Sequence, residues 1–522
     1  MSSTSETTLL KPTAAAFTAG DRQSRELASW RPQLASADSD MLDEKESTEA
    51  RALDLVRNNG IAAGAVSSRK DRIVGSNFRL MLRPDYKALG VDRDAMRDWA
   101  RVIEGEFNAW ANDPMCPIDA QRKRTFTELL RDAEACRFIQ GESFISREWR
   151  FMPFSGTPYG TCFMLIEPER ICNPVGSIGS KQNIRAGIET DQWGAPIAYH
   201  IRTRHPNDFV AGTTQALPEW DRITKYNRFG WLQILHTFEQ DRANQTRGFS
   251  RFASITKRLK MLDRHENVAL ELSIIAASLA IVIESQFGPG ATEALGATPL
   301  ANLSEYVTAQ AEFKSASPVV FDGVRIPHLF PGEKLNISRA EPPGEQFAAF
   351  EESMLRHAAR GLNMSYEALS GDYSKTNYSS ARAAMAEAWN AVLSAREFGP
   401  AKEATLMFRL WLREGIVRNL LPLPPGATQD SFLQRESMYA RCQWIGSGRL
   451  PIDELKAAKA NETNLANNTT TLASIAAEAG EDWEEILEQR AEEQNLQSEL
   501  GISIASATTA TTGVEDEPSD SQ

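Results

Sequence analysis

"LSGDYSKTNYSSARAAMAEAW", residues 369–389, lies between two stretches of clear helical periodicity, and its reading decides how the chain is divided. From Ser370 to Ser380 it has no large aliphatic side chain; Gly371, Asp372, Tyr373, Lys375, Asn377, Tyr378 and four serines fill it instead. Such a segment has little to bury and reads as an exposed loop. Upstream, "PPGEQFAAFEESMLRHAARGL" sets Phe347, Phe350, Met354, Ala358 and Leu362 on one helical face. Downstream, "SARAAMAEAWNAVLSAREF" and "AKEATLMFRLWLREGIVRNLL" read as two long helices split at Gly399-Pro400.

Farther upstream a long helix is expected from about Ile255 to Gln286, roughly 45 Å in length. Its apolar run "IIAASLAIVI", residues 274–283, is bracketed by Glu271 and Glu284 and is too short to span a bilayer, so it reads as buried. Apolar residues occupy more than one of its faces, among them Leu259, Leu262, Val268, Leu272, Ile275, Leu279 and Ile283. A small module, Gly288 to Pro343, follows, and within it "VVFDGVRI" reads as a hairpin turning at Asp322-Gly323. Before the long helix, "SFISREWRF", "TCFMLIEPERI", "IRAGIETDQWGAPIAYHIR" and "GWLQILHTF" read as strands between Gly, Pro and Asp turns. Helices precede them. Asp92 caps one carrying Met96, Trp99, Ile103, Phe107 and Trp110 at three- and four-residue steps, and another buries Phe126, Leu129, Leu130 and Ala133. An earlier helical pattern places Leu53, Val56, Ile61, Val66 and Ile73 in the core. Residues 1–48, poor in large apolar groups, read as a mobile arm, and residues 501–522 as a tail. The fold class expected is α+β, mainly helical.

Composition narrows function. Hydrophobic residues make up 42% of the 522, enough for a large core. With 57 basic and 70 acidic residues the net charge is −13, so any contact with nucleic acid must be local. Five cysteines without a CxxC pair suggest no disulfide framework or zinc ribbon, and a reducing compartment is the simplest reading. The amino terminus lacks the pattern of a signal peptide. None of the six histidines stands in HExxH spacing, "GSIGSK" at 176–181 misses the phosphate-loop pattern, and no G-x-S-x-G elbow occurs. No catalytic residue, cofactor or metal ligand is therefore assigned. In "TKRLKMLDR", Lys257, Arg258, Lys260 and Arg264 could meet phosphate, although a charged helix face is usually just solvated.

Several segments together resemble the portal proteins of lambda-type tailed phages. They are "LVRNNGIAAGAVSSRKDRIVGSNFRL", "RKRTFTELLR", "RICNP", "QTRG", "MLDR", "RIPHLFPGEKLN", "FEESMLRHAARGLNMSYEALSGDYSKTNYSSARA" and "CQWIGSGRLPIDELK", in family order from about Arg51 to Glu493. The resemblance implies a ring of twelve copies at one capsid vertex, through which double-stranded DNA is packaged and ejected. It implies a wing at 49–254, a stem helix at 255–287, a clip at 288–343 and a second stem helix at 344–363. A tunnel loop at 364–380, long wing helices at 381–430 and a C-terminal wing and crown region at 431–500 complete the layout. Gly371, Asp372, Tyr373, Lys375, Asn377 and Tyr378 would then face the channel, with the basic residues of the stem, and the Asp322-Gly323 turn would face partners. Those partners are the terminase large subunit, the major capsid protein, the scaffolding protein and the head-tail adaptor. The implied location is the virion, after assembly in the host cytoplasm. The alternatives are another head protein, such as a head-completion or capsid-lining protein, or a head enzyme of the terminase or protease kind.

Overall fold

The computed structural model describes residues 19, 25–27, 29–151, 156–175, 183–205, 219–283, 312, 319–321, 324–326, 345–374, 378–449 and 453–501. Helix α1 (Ala37–Asn58) begins inside the stretch expected to be an arm, capped by Ser36, whose Oγ accepts from Ser39 N at 3.2 Å. Within that stretch Asp38 and Lys45, charges that suited a solvent-facing arm, are buried. Asn59 ends α1 and caps α2 (Gly60–Ile73), accepting from Ala62 N at 3.0 Å.

After β1 (Arg79–Leu82) and the short α3 (Tyr86–Leu89) comes α4 (Arg93–Ala111). Asp92 caps it as expected, and Met96, Trp99, Ile103, Phe107 and Trp110 are all buried. A Thr125–Glu128 capping box opens α5 (Phe126–Gln140). Two antiparallel sheets follow. One runs in the order β3 (Thr161–Ile166), β2 (Glu142–Trp149), β8 (Ile234–Phe238). The other runs β4 (Ile184–Arg185), β5 (Ile188–Thr190), β6 (Pro196–Arg202), β7 (Trp220–Thr224).

Helix α6 (Thr256–Ile283), the short pair β9 (Val319–Phe321) and β10 (Val324–Ile326), and α7 (Glu345–Gly361) come next. Phe321 lies opposite Val324 in that antiparallel pair, while Asp322 and Gly323 lie outside the described residues. The chain continues through α8 (Tyr366–Ser370), α9 (Tyr378–Arg396), α10 (Lys402–Val417), α11 (Gln429–Gln434) and α12 (Glu436–Tyr439). It ends with β11 (Cys442–Ile445), α13 (Glu454–Ala466), α14 (Leu472–Ala479) and α15 (Trp483–Glu499).

The expected break at Gly399-Pro400 is corrected. A widened π turn, Glu397–Ala401, carries α9 into α10 with Pro400 inside it. Proline lacks the N–H that a tight turn would use, and a single π turn absorbs its ring without ending the helix. The turn packs closely on its neighbours. A Cβ on Gly399 would lie 2.9 Å from the Arg137 guanidinium. Arg396, buried beside the turn, donates to the carbonyls of Ile73, Arg72 and Ser447 at 2.8–3.0 Å. Burial pushes its pKa down to about 10.

Strand β1 pairs antiparallel with β11, Arg79 opposite Ile445, across more than 350 residues of sequence. Trp444 stacks on Phe78 at 5.6 Å and edges against Phe107 at 6.0 Å. Around these rings lies the largest core, with Trp411 and Phe408 fully buried. A second core joins α1, α2 and α5 to α6 and α7 through Phe138, Phe252, Leu259 and Ala358. A third lies between the two sheets at Phe144, Tyr199 and Ile201.

Where these parts meet, Glu142 is buried to 0% exposure. Arg247 reaches it at 2.6 Å, Lys45 at 2.9 Å and His236 at 3.0 Å, and Gly248 N donates to it at 2.9 Å. Arg247 also donates to the carbonyls of Ile171 and Pro168 at 2.8 and 3.1 Å. Burial alone would raise the Glu142 pKa, but the charges of Arg247 and Lys45 hold it well below the usual carboxylate range. Burial pushes the His236 imidazole below its ordinary value despite the bond to Glu142.

Arg247→Ala should therefore cost about 3–5 kcal/mol, because it leaves a buried carboxylate short of its strongest partner. The denaturant midpoint at neutral pH measures it. In the wild type both groups bind fewer protons folded than unfolded. The stability they contribute is thus complete above about pH 6.5 and is lost on acidification, first through His236 and then, below about pH 4.3, through Glu142. A thermal midpoint unchanged between pH 7 and pH 4 would contradict this.

Candidate DNA-channel segments

The sequence singles out the segment after α7, and its geometry begins with an anchor. Leu362 is buried, Asn363 takes φ +56°, and Ser365 caps α8 by accepting from Ala368 N at 3.2 Å. The expected loop therefore contains a turn of helix over 366–370. Leu369, 8% exposed, pins that turn into the second core. Gly371 closes it in the left-handed region at φ +71°, its N–H donating to Glu367 O at 2.9 Å. No atom lies near a Cβ built there, so backbone conformation rather than space calls for glycine. Ser370 Oγ then accepts from Asp372 N at 3.1 Å, and Asp372 accepts from Ser374 N at 2.9 Å. Tyr373 is exposed. Gly371, Asp372 and Tyr373 thus share one tip, with Gly371 and Tyr373 exposed and Asp372 half-buried. Lys375 and Asn377 lie outside the described residues, as does the side chain of Tyr378, where α9 begins.

Lys257, Arg258, Lys260 and Arg264 are all exposed on the first turns of α6. Three of them, Lys257, Lys260 and Arg264, line a groove of about 810 Å³ against α1, where Arg51 and Asp54 face them. Arg258 does not line it. Spacing i, i+3, i+7 could have separated the three from the fourth. Arg51 was missed because the packing of α1 on α6 is not legible in either helix alone. Lys260 also pairs with Asp263 at 3.3 Å.

Beneath this charge, Leu259 and Leu262 are buried, and α7 approaches so closely that a Cβ on Gly361 would meet Ile255 at 2.4 Å. Farther along, His265 stacks on Phe347 at 5.0 Å. Burial, with Glu351 and Asp263 nearby, raises the pKa of Glu266. Met261, Val268, Leu270, Leu272 and Ile274 remain 41–61% exposed, beyond the face that α7 covers. Among the described residues no cluster of His, Cys, Asp or Glu could hold a metal ion, and no helix is long and apolar enough to cross a membrane. "GSIGSK" lies outside the described residues.

Leu369→Ala should cost roughly 2–5 kcal/mol by emptying a core site, whereas Tyr373→Ala should stay within about 0.5 kcal/mol. Unfolding midpoints of the two variants check this division between anchor and tip.

Comparison with known proteins supplies the context for these segments. A family model described as "Phage portal protein, lambda family" matches residues 23–396. The portal protein of Escherichia phage N15 is 36% identical over 482 residues, which is 91% of this chain and 89% of the relative. Portal protein B of Escherichia phage lambda is 35% identical over 483 residues, with the same coverage. A probable portal protein of Halomonas phage phiHAP-1 is 23% identical over 491 residues, 92% of this chain and 86% of the relative. Among solved structures, a chain from the neck of a native gene transfer agent particle, computed with C12 symmetry, matches with a TM-score of 0.35 and 11% identity. That match covers 76% of this chain and 98% of the other.

Proposed function

The chain belongs to the lambda family of phage portal proteins, and we propose from that premise that twelve copies close into a ring at one capsid vertex. Double-stranded DNA passes through the ring during packaging and ejection. The observation that carries the ring is the long helix α6, whose Met261, Val268, Leu270, Leu272 and Ile274 stay exposed after α7 has packed. At 100° per residue Met261, Val268 and Leu272 lie along one face of α6 and Leu270 and Ile274 on the opposite one, and exposed apolar faces of this kind mark interaction surfaces. Heterologous contacts, one face meeting the neighbour on one side and the other face the neighbour on the other, cover both and close the ring.

In this reading residues 49–254 form the wing, α6 and α7 the stem pair, and 288–343 a clip around Asp322 and Gly323. Residues 381–430 and 431–500 add the long wing helices and a crown. The clip docks the terminase large subunit and later the head-tail adaptor. The major capsid protein and the scaffolding protein surround the ring during assembly in the host cytoplasm. The tip at Gly371, Asp372 and Tyr373, with Lys375, Asn377 and Tyr378, lines the channel. Lys257, Arg258, Lys260 and Arg264 add positive charge to the stem. A net charge of −13 suits a conduit that must release what it passes. The relatives are named as portal proteins, a structural family, which fits a chain that is not an enzyme.

Electron microscopy of the purified protein should show hollow rings; a monodisperse monomer under every salt condition would overturn the reading. For the loop, Lys375→Ala should leave assembly and the thermal midpoint within about 0.5 kcal/mol of wild type. Shortening 371–380 by several residues should give intact rings that package or retain less DNA, read as genome length per particle.

A further inference from the structure

Arg147 is a half-buried cation without a counter-ion. It stands near the end of β2, opposite Phe163 of β3, and shares a strand face with Ile145, which belongs to the largest core. Its guanidinium lies over the Trp231 ring at 4.4 Å and the Trp149 ring at 5.9 Å. Among the described residues no carboxylate pairs with it, and its buried Nε has no hydrogen-bond partner. Burial, with Arg413 nearby, pushes its pKa below the ordinary arginine value.

The carboxylates around it are already engaged. Glu414 pairs with Arg418 and accepts from Gly160 N and Thr161 N at 2.8 Å each. Glu436 pairs with Arg413 and, at 3.3 Å, with Arg409. Glu148 accepts from Ser146 Oγ at 2.7 Å. A cation taken from water costs free energy unless it is paired and hydrogen-bonded, so a donor left this way calls for a partner from outside the subunit.

The surroundings say what that partner looks like. Arg147, Trp231 and Arg413 line a groove of about 640 Å³ whose other walls include Phe229, Val417 and Leu433, exposed to 69%, 40% and 40%. Arginine beside tryptophan and phenylalanine is the composition of interface hot spots. Stacking on an indole holds the guanidinium plane and leaves its edge N–H groups for a carboxylate or a phosphate. Three observations favour the carboxylate. Trp231 is already stacked by Arg147 and, at 5.5 Å, by Arg413, and Phe229 carries Arg228 at 4.7 Å, so these rings offer nucleobases little free face. Glu414 and Glu436, buried beside the groove, oppose a chain of phosphates. A single unpaired guanidinium matches a single carboxylate.

We propose that this groove docks a segment of another protein that carries a carboxylate beside an aliphatic or aromatic side chain. The carboxylate pairs with Arg147, and its apolar neighbour rests on Phe229, Val417 and Leu433. The inference goes beyond the ring reading and needs only the folded subunit.

The test titrates full-length protein into a short fluorescein-labelled peptide in which Asp-Leu and Glu-Phe pairs alternate with Gly-Ser, read by fluorescence anisotropy. Binding should saturate, and a counterpart with Asn and Gln in place of the acids should bind about tenfold more weakly or worse, the factor a charge-assisted hydrogen bond supplies. Arg147→Met should weaken the acidic peptide as much while its thermal midpoint holds or rises, because it removes an unpaired charge and keeps the bulk. Leu433→Glu, at an exposed position, should weaken it by like-charge repulsion with Arg147 intact. No saturable binding, equal binding of the amide peptide, or undiminished binding by either variant overturns the proposal. A fall in the thermal midpoint of Arg147→Met overturns it by making the cation a structural one. Displacement of the peptide by a single-stranded oligonucleotide overturns it in favour of a phosphate site, and loss of self-assembly in Arg147→Met does so in favour of a neighbouring copy.

Discussion

Everything from the sheets to the long helix turns on one backbone crossing. Gly141 and Gly248 touch so closely that a Cβ on Gly248 would stand 2.2 Å from Gly141 O, and Gly141 holds φ +91°. Only residues without a Cβ permit that approach. It brings Gly248 N to Glu142, the first residue of β2, just as the chain turns toward α6. Lys45 of α1 donates to Gly248 O at 2.7 Å while pairing with Glu49 at 2.6 Å. Helix, sheet and the root of α6 are therefore tied to one buried carboxylate, and the direction in which α6 departs is set there.

Charges buried this way add little net stability, since desolvation offsets most of their attraction. What they supply is uniqueness, because a misregistered packing would strand a charge. The same device recurs. Arg137 pairs with Glu403 at 2.6 Å and with Glu134, and Arg69 reaches Glu134 at 2.7 Å, tying α2, α5 and α10 together. Glu414 accepts from Gly160 N and Thr161 N at 2.8 Å each, fixing α10 to the start of β3. These ties fix how the helices and sheets of the described body are registered on one another.

Much of this was legible in the letters wherever periodicity is local. The face of α4 could be read from five apolar residues and an Asp cap, and the strands around β2, β3, β6 and β8 from their alternation. What failed was non-local or counter-intuitive. Nothing in "RLML" and "CQWI" announces that they pair across more than 350 residues, and Asp38 and Lys45 lay in a stretch read as an arm because burial of a charge shows only when its partners converge. Gly399-Pro400 read as a break because a π turn has no signature of its own. At the candidate site, the polar tip was legible from missing aliphatics, but the anchor at Leu369 was not, because one leucine in a polar stretch carries no period. "QTRG" and "RICNP" were picked out only as matching words. Their physical sense is that Arg247 of the first donates to the carbonyl of Ile171 in the second.

The contrast between body and loop follows from where free energy is spent. Leu369 is the last buried side chain before Gly371, and beyond it Ser370 Oγ accepts from Asp372 N and Asp372 accepts from Ser374 N. Each of these bonds joins atoms within four residues of one another, so it shapes the turn locally. A tip packed as tightly as the Glu142 crossing would present one rigid shape twelve times around the proposed ring. A DNA duplex moving along the axis presents a different phosphate pattern to each copy at every step, so a stiff constriction would match few of them. In the proposed ring, locally bonded turns at the tip and a buried anchor at Leu369 would be complementary: the anchor would hold the loop at a fixed radius, and a tip shaped by local bonds would spare the duplex a strong grip.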